Sequence, residues 1–423
     1  MKPAQLSRRR FLTASAAAVA GPWFIRSSAF GANERIGMGF IGLGGRGSGI
    51  LRSFVRAGVS EAIAVCDPWR DRAERMSQSL PSKPYPTTDF RELVARDDID
   101  AVTIASPDHW HVLQTLAAFK NGKDVYCEKP LSVTIAEGRA LADAARRYGR
   151  VFQHGTHQRS YYGFRYVCEL ALNGYIGKVH TIRVCERGGH QSGNRAPLPV
   201  PPQLDHELWL GPAPWSPYMG QSVGGGGWQF RSDYTAGWIS GCGVHPLDIA
   251  QWGNGTDRTG PVEIAGTGTF PTDGYNDTAI DWHVEFRYAN GVKLIFTSTH
   301  RDVNSPEVGA RFEGTEGWVM AQGNAASFLG QPESVLKVQL KPNDVRLCES
   351  RDHSGNFLEC VRTRRETVAP AEVAHRSTSL CLLADIALRL KRPLKWDPDR
   401  ETFPADPEAN RYLSRAMREP WTL

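Results

Sequence analysis

The chain has 423 residues, 41% of them hydrophobic, 22% charged and 10% aromatic, which is globular composition with length for two domains and excludes a fibrous or disordered protein. Fifty Lys and Arg against 45 Asp and Glu give a formal charge of +5, but Lys2, Arg8, Arg9, Arg10 and Arg26 place five of those cations within residues 1–31, where no acid occurs. The remaining body carries 45 of each sign, so it has no global electrostatic footprint for nucleic acid.

Ser7-Arg8-Arg9-Arg10-Phe11-Leu12 precedes an apolar run from Thr13 to Ile25 and small residues around Ala29-Phe30-Gly31. The arrangement resembles a twin-arginine export signal cleaved near Gly31, and implies a periplasmic protein. The run is shorter than the ~20 residues that span a bilayer and contains Gly21-Pro22, so no stable membrane anchor is expected. The cysteines, Cys66, Cys127, Cys168, Cys185, Cys242, Cys348, Cys360 and Cys381, are scattered singly, most of them in apolar runs. Buried thiols are expected rather than a disulfide framework, and no metal site.

Residues 35–154 read as alternating strands and helices. Strands are predicted at Ile36–Ile41, Ala62–Cys66, Ala101–Ala105, Asp124–Cys127 and Val151–Gln153, with helices at Gly47–Ala57, Arg70–Ser79, His111–Asn121 and Ile135–Tyr148. That alternation predicts an α/β Rossmann domain with a doubly wound parallel sheet. Residues 155–352 change texture. Strand-like runs at His180–Cys185, Val262–Thr267, Ile280–Arg287, Lys293–Ser298 and Ala310–Phe312 predict an α+β domain on a large, mostly antiparallel, open-faced sheet, interrupted by a loop-rich insertion over residues 187–235. Helical patterns return at Asn356–Arg364 and His375–Leu390, within a C-terminal segment, residues 353–423, expected to pack back on the core.

Gly42-Leu43-Gly44-Gly45-Arg46-Gly47 follows the first strand and opens the first helix, the context in which a G-x-G-x-x-G pattern predicts a dinucleotide site. The glycines allow a tight turn close to a pyrophosphate, and the helix N-terminus offers it free N–H groups. Asp67 closes the second strand, where a carboxylate accepts from both ribose hydroxyls and repels a 2′-phosphate. NAD is therefore expected over NADP, although Arg70 and Arg72 can offset that repulsion.

Ala105-Ser106-Pro107-Asp108-His109-Trp110-His111 and Asp124-Val125-Tyr126-Cys127-Glu128-Lys129-Pro130 closely resemble motifs of the Gfo/Idh/MocA family, relatives of glucose–fructose oxidoreductase and inositol dehydrogenase. The likeness runs through Gly309-Ala310-Arg311-Phe312-Glu313-Gly314 to the C-terminal helices. It implies that Lys129 reaches both cofactor and substrate, and that Ser106, His109, His111 and Glu128 join the glycine turn around the cofactor. A homo-oligomer is implied as well. The chemistry agrees: oxidising a carbinol needs a base for the hydroxyl proton, and a partly desolvated lysine beside a nicotinamide suits that task. In Gly241-Cys242-Gly243-Val244-His245-Pro246-Leu247-Asp248, His245 and Asp248 match the family's substrate-site helix, while Gly241 stands where an aspartate is usual. His245 is the second catalytic candidate, as a proton relay or as a group that positions a hydroxyl.

Trp209, Trp215, Trp228, Trp238 and Trp252 crowd five of twelve tryptophans into residues 201–252, next to the run Gly224–Gly227, which reads as a mobile loop. Aromatic faces suit a carbohydrate, and equally a core or a subunit contact. Trp228, Asp248, His157 and Arg159 are the substrate candidates, with His154, Thr156, Tyr161 and Tyr162 beside them. The sequence thus predicts a sugar or polyol oxidoreductase that transfers hydride to and from NAD. A glycoside hydrolase that uses retained NAD in a redox-neutral cycle is the alternative, and a cofactor-stabilised binding protein a third. Outside the cytoplasm no nicotinamide pool exists, so tight retention is expected in either enzyme.

Overall fold

The computed structural model describes residues 35–423 except 221–222, 224–225, 300–308 and 324–326, so the expected export signal and half of the Gly224–Gly227 run lie outside the described residues. Ile36–Leu423 form one compact unit. Its first half winds β1 (Ile36–Ile41), α1 (Gly45–Arg56), β2 (Ser60–Cys66), α2 (Arg70–Ser79), β3 (Tyr85–Thr87), α3 (Phe90–Val94), β4 (Ala101–Ile104), α4 (Asp108–Lys120), β5 (Asp124–Cys127), α5 (Ile135–Tyr148) and β6 (Phe152–His154). The six strands form a parallel sheet in the order β3-β2-β1-β4-β5-β6. Every residue of β1 is buried, as a strand covered on both faces requires. Separate apolar cores line the two faces, one around Leu93, Val102 and Phe119, the other around Met38, Leu51 and Phe54.

The second half contributes α6 (Tyr162–Leu172), β7 (Val179–Arg187), α7 (His206–Leu210), α8 (Trp238–Gly241), α9 (Val244–Gly253), β8 (Glu263–Thr269), β9 (Asp281–Arg287), β10 (Lys293–Thr299), β11 (Gly309–Gly314), β12 (Gly317–Gln322) and β13 (Ser327–Gln331). Helices α10 (His353–Thr363) and α11 (Ala371–Leu390), strand β14 (Leu394–Lys395) and helix α12 (Pro407–Asn410) complete the chain. Eight strands form one sheet in the order β13-β12-β11-β7-β10-β9-β8-β14. It is mostly antiparallel; the pair β7 and β10 at its centre is parallel.

Residues 353–423 knit the halves together. Along β6, Thr367 Oγ1 donates to the Phe152 carbonyl at 2.7 Å and the His154 N–H donates to the Ala369 carbonyl at 2.9 Å. Phe357 of α10 enters the core behind β1, and the largely buried α11 supplies Ala371 and Ala374 to the other Rossmann core and Leu380 to Leu388 to the core of the second sheet. Elements without a long apolar signal escape the sequence reading: β3 is three residues around Pro86, and α6 follows a polar turn. No helix among the described residues is long and apolar enough to cross a membrane.

Candidate active site

The glycine turn closes a cradle at the C-terminal edge of the parallel sheet. Gly42 has φ +83°, and a Cβ there would sit 2.6 Å from the Ala105 carbonyl carbon and the Ser106 nitrogen. A Cβ on Gly47 would meet the Gly42 carbonyl oxygen at 1.8 Å, while Gly44 and Gly45 face open space. Helix α1 begins with no side-chain cap and no acid in its first turn, so its leading N–H groups remain for an anion. Gly42, Gly44, Gly45, Arg46, Gly47, Asp67 and Ser106 all line a cavity of about 470 Å³. These are the features a dinucleotide needs, and the residues fit one. Leu43, by contrast, packs into the core, and its N–H donates to Asp67 Oδ2 at 2.8 Å. Asp67 Oδ1 accepts from the Trp69 N–H at 2.9 Å, Arg72 stands 4.0 Å away, and burial raises the carboxyl above its ordinary range.

The insertion over residues 187–235 roofs this cavity with Leu208, Trp209, Val223 and Trp228. It is pinned on two sides. Arg70 N–H donates to the Gln203 carbonyl and Asp205 N–H to the Pro68 carbonyl, each at 2.9 Å. Trp110 Nε1 donates to the Trp209 carbonyl at 3.0 Å, and His109 Nε2 lies 3.1 Å from the same oxygen. His109, kept neutral by burial that lowers its pKa to about 3, therefore anchors the roof and does not line the cavity.

His111 is also turned away, fully buried, with Nδ1 2.7 Å from the Pro130 carbonyl and Nε2 2.8 Å from the Ser106 carbonyl. Two carbonyl acceptors require two N–H donors, hence an imidazolium. Burial opposes that charge; Cys127, Asp108 and the Pro130 carbonyl outweigh it and push the pKa up to about 10. Glu128 is buried and bound by Arg46, Oε1 lying 3.0 Å from Nε and 2.8 Å from Nη2. Burial works against its charge, but Arg46 and Lys129 hold it below the usual range.

Lys129, at the exit of β5, donates from Nζ to the Gly241 carbonyl of α8. A second cavity of about 120 Å³ opens around it, lined by Asp108, Trp228, Gln229, Trp238 and Cys242 among others. Trp228 and Gln229 line both cavities, so the two meet there. His245 and His157 sit beside Lys129's end of the site with ring centroids 4.8 Å apart, and neither Nδ1 has a partner among the described residues. Burial lowers the pKa of both, with Lys129 nearby adding to the effect, so both are neutral; their Nδ1 atoms are themselves buried, and neither ring lines the Lys129 cavity.

Two substrate candidates are spent elsewhere. Arg159, 2% exposed, binds Asp248 at 2.6 and 2.9 Å, reaches Asp257 at 3.2 Å and lies over Trp252. Asp248 also accepts from Ser377 Oγ at 2.6 Å. The pair joins the turn His157–Ser160 to α9, Ser377 adds α11, and neither side chain has an open face; the matched motif predicted a site, while burial makes it a structural tie. Of the tryptophans, Trp228 and Trp238 reach the site, Trp209 roofs the first cavity, Trp252 is core and Trp215 is exposed. Asp108, inside a quoted motif yet unassigned, is the residue sequence reasoning missed. Burial raises its carboxyl to about 6. Six cysteines are buried, and no cluster of three potential ligands for a metal occurs among the described residues.

Two family descriptions match the chain: the Gfo/Idh/MocA "Oxidoreductase family, NAD-binding Rossmann fold" over residues 36–156 and its "C-terminal alpha/beta domain" over residues 186–423. The chain is 23% identical to the uncharacterized oxidoreductase YrbE of Bacillus subtilis over 79% of its own length and 89% of that protein's. It is 29% identical to the myo-inositol 2-dehydrogenase of Thermotoga maritima over 40% of its length and 47% of that protein's. It is 33% identical to a glycosyl hydrolase family 109 protein of Saccharopolyspora erythraea over 29% of its length, spanning 28% of that relative. In structure it is similar to the WlbA dehydrogenase of Bordetella pertussis (TM-score 0.65, 14% identity, 86% of this chain and 99% of the other). The aldose-aldose oxidoreductase of Caulobacter crescentus compares alike (TM-score 0.60, 18% identity, 85% and 99%).

Proposed function

The chain belongs to the Gfo/Idh/MocA oxidoreductase family, and we propose that it interconverts a carbinol and a carbonyl of a sugar or polyol, using a tightly held NAD, after export by the twin-arginine route. The observation that carries this reading is Lys129: its Nζ is fixed by the Gly241 carbonyl beside the junction of the two cavities, with two neutral histidines at hand. The dinucleotide, when bound, supplies a hydride acceptor and donor. Lys129 takes the hydroxyl proton on Nζ. His245, half-buried beside Lys129, orients a neighbouring hydroxyl. Trp228 and Trp238 present aromatic faces to the apolar side of the ring.

Asp67 supports NAD over NADP, because both its oxygens are tied to backbone N–H groups and the carboxylate cannot swing away from a 2′-phosphate. A second reading has one observation in its favour. The pinned roof suits a nucleotide that never leaves, as in a redox-neutral glycosidase, and a glycosyl hydrolase family 109 protein is among the relatives.

One experiment tests both. The protein purified from its periplasm is denatured, the released nucleotide identified, and the native protein assayed on sugars and glycosides without added NAD. Stoichiometric nucleotide in the released fraction and turnover without accumulating NADH are expected. Release of NADP, or turnover only in step with added nucleotide, overturns this reading.

A further inference from the structure

We propose that Asp108 is a second proton-transfer group of this site, exchanging with Lys129 the proton that Lys129 takes from the substrate hydroxyl. The inference rests on the reading of Lys129 as base and names what serves it. Asp108 opens α4 and lines the Lys129 cavity; among the described residues of that lining it is the one carboxylate. The opposite wall has none: Gly241 of α8 offers only its backbone carbonyl there. A Cβ on Gly241 would meet no atom within 4 Å, so that space is open rather than filled. Asp108 thus brings a carboxylate from the Rossmann half into the cavity that Lys129 and Gly241 line.

The surroundings of Asp108 hold it near the point of titration. Burial raises its pKa to about 6, against His111 on its own helix, the Thr235 hydroxyl and Lys129 from β5, which lower it; Cys242, following α8, also faces it. A carboxyl with a pKa near working pH both accepts and returns a proton readily. As hydride leaves the carbinol carbon, the O–H bond breaks and its proton forms an N–H bond on Lys129 Nζ. An N–H bond of the resulting ammonium then breaks, its proton passing to an Asp108 oxygen. A neutral amine and a neutral carboxyl remain, and the reverse sequence returns the proton when hydride returns.

The test uses the nucleotide-loaded, full-length enzyme and Asp108→Asn. For the wild type, turnover should fall as pH drops through about 6, because Asp108 must be ionised to accept. The variant should keep its nucleotide, lose on the order of 10²-fold in kcat, and lose that acidic limb. Formate should restore part of the rate to Asp108→Ala. Without substrate, infrared spectra of the wild type should show a protonated-carboxyl band growing in through the same pH range, absent from Asp108→Asn. A wild-type rate and acidic limb in Asp108→Asn, or no formate rescue of a folded, nucleotide-loaded Asp108→Ala, overturns the proposal while Lys129 stands. Full turnover in Lys129→Ala overturns the assignment of the base, and this proposal with it.

Discussion

Lys129 and Gly241 are 112 residues apart in sequence and joined by one hydrogen bond, from Nζ of the lysine that follows β5 to a backbone carbonyl of the short helix α8. A backbone carbonyl fixes Nζ by accepting its hydrogen bond and does not compete for the proton. Lys129→Ala removes the positioned amine and leaves both the glycine cradle and Arg46–Glu128 intact. The variant should fold, retain its nucleotide and lose ~10²–10⁴-fold in kcat, measured by single-turnover reduction of the bound nucleotide. A near-normal rate would pass the role of base to His245.

Much of this site was legible because its parts are local. The turn Gly42–Gly47, Asp67 at the end of β2 and Lys129 at the end of β5 all follow from strand–turn–helix punctuation, and the structure brings the glycines and Asp67 to one cavity. What stayed illegible depends on distant partners. Nothing near Arg159 in sequence foretells Asp248 or Asp257, and nothing near His109 foretells the Trp209 carbonyl. The same holds for β7 and β10, whose parallel pairing is set by a crossover no strand pattern records.

The Arg159–Asp248 pair separates a structural tie from a binding role. Both side chains are at most 2% exposed, so removing one leaves an uncompensated buried charge. Arg159→Ala should destabilise the protein by about 3–5 kcal/mol, seen as a lower urea midpoint. Were Arg159 a sugar ligand instead, KM would rise with the midpoint unchanged.

Acid sensitivity should be centred on a different cluster. Arg139 of α5 binds Glu372 of α11 at 2.7 and 2.8 Å and Glu401 at 2.6 and 3.0 Å, and His375 Nε2 lies 2.8 Å from Glu401. Burial opposes both charges, but Arg139 and Arg376 bring Glu372, and His375 and Arg139 bring Glu401, down to about 2. A depressed carboxylate stabilises the fold fully above its unfolded pKa, and that stability is lost as pH falls through the folded value. The loss should therefore run from about pH 4.5 toward 2, on the order of 3 kcal/mol for the coupled cluster. In Glu401→Gln, urea midpoints followed against pH should start lower at neutrality and fall less steeply; an unchanged slope would place the acid lability elsewhere.

Retention of the nucleotide should depend on the last residues of the chain. Trp421 packs its ring on Trp110 at 4.7 Å, and Arg418 N–H donates to the Pro212 carbonyl at 3.0 Å. Arg418 Nε reaches the Gly211 carbonyl at 3.1 Å, and its guanidinium pairs with Glu207 of α7. Gly211 itself has φ +51°, and a Cβ there would strike Trp110 at 2.1 Å. The tail thus clamps the roof segment from outside, at the same tryptophan whose Nε1 binds the Trp209 carbonyl. Deleting residues 418–423 removes the clamp and leaves both sheets and α11 in place. Roof opening should become easier by about 1.4 kcal/mol, which makes dissociation tenfold faster, measured as exchange of bound for labelled NAD with folding checked by circular dichroism. An exchange rate equal to that of the full chain would mean that Trp69, Leu204 and the Arg70–Gln203 contact hold the roof unaided.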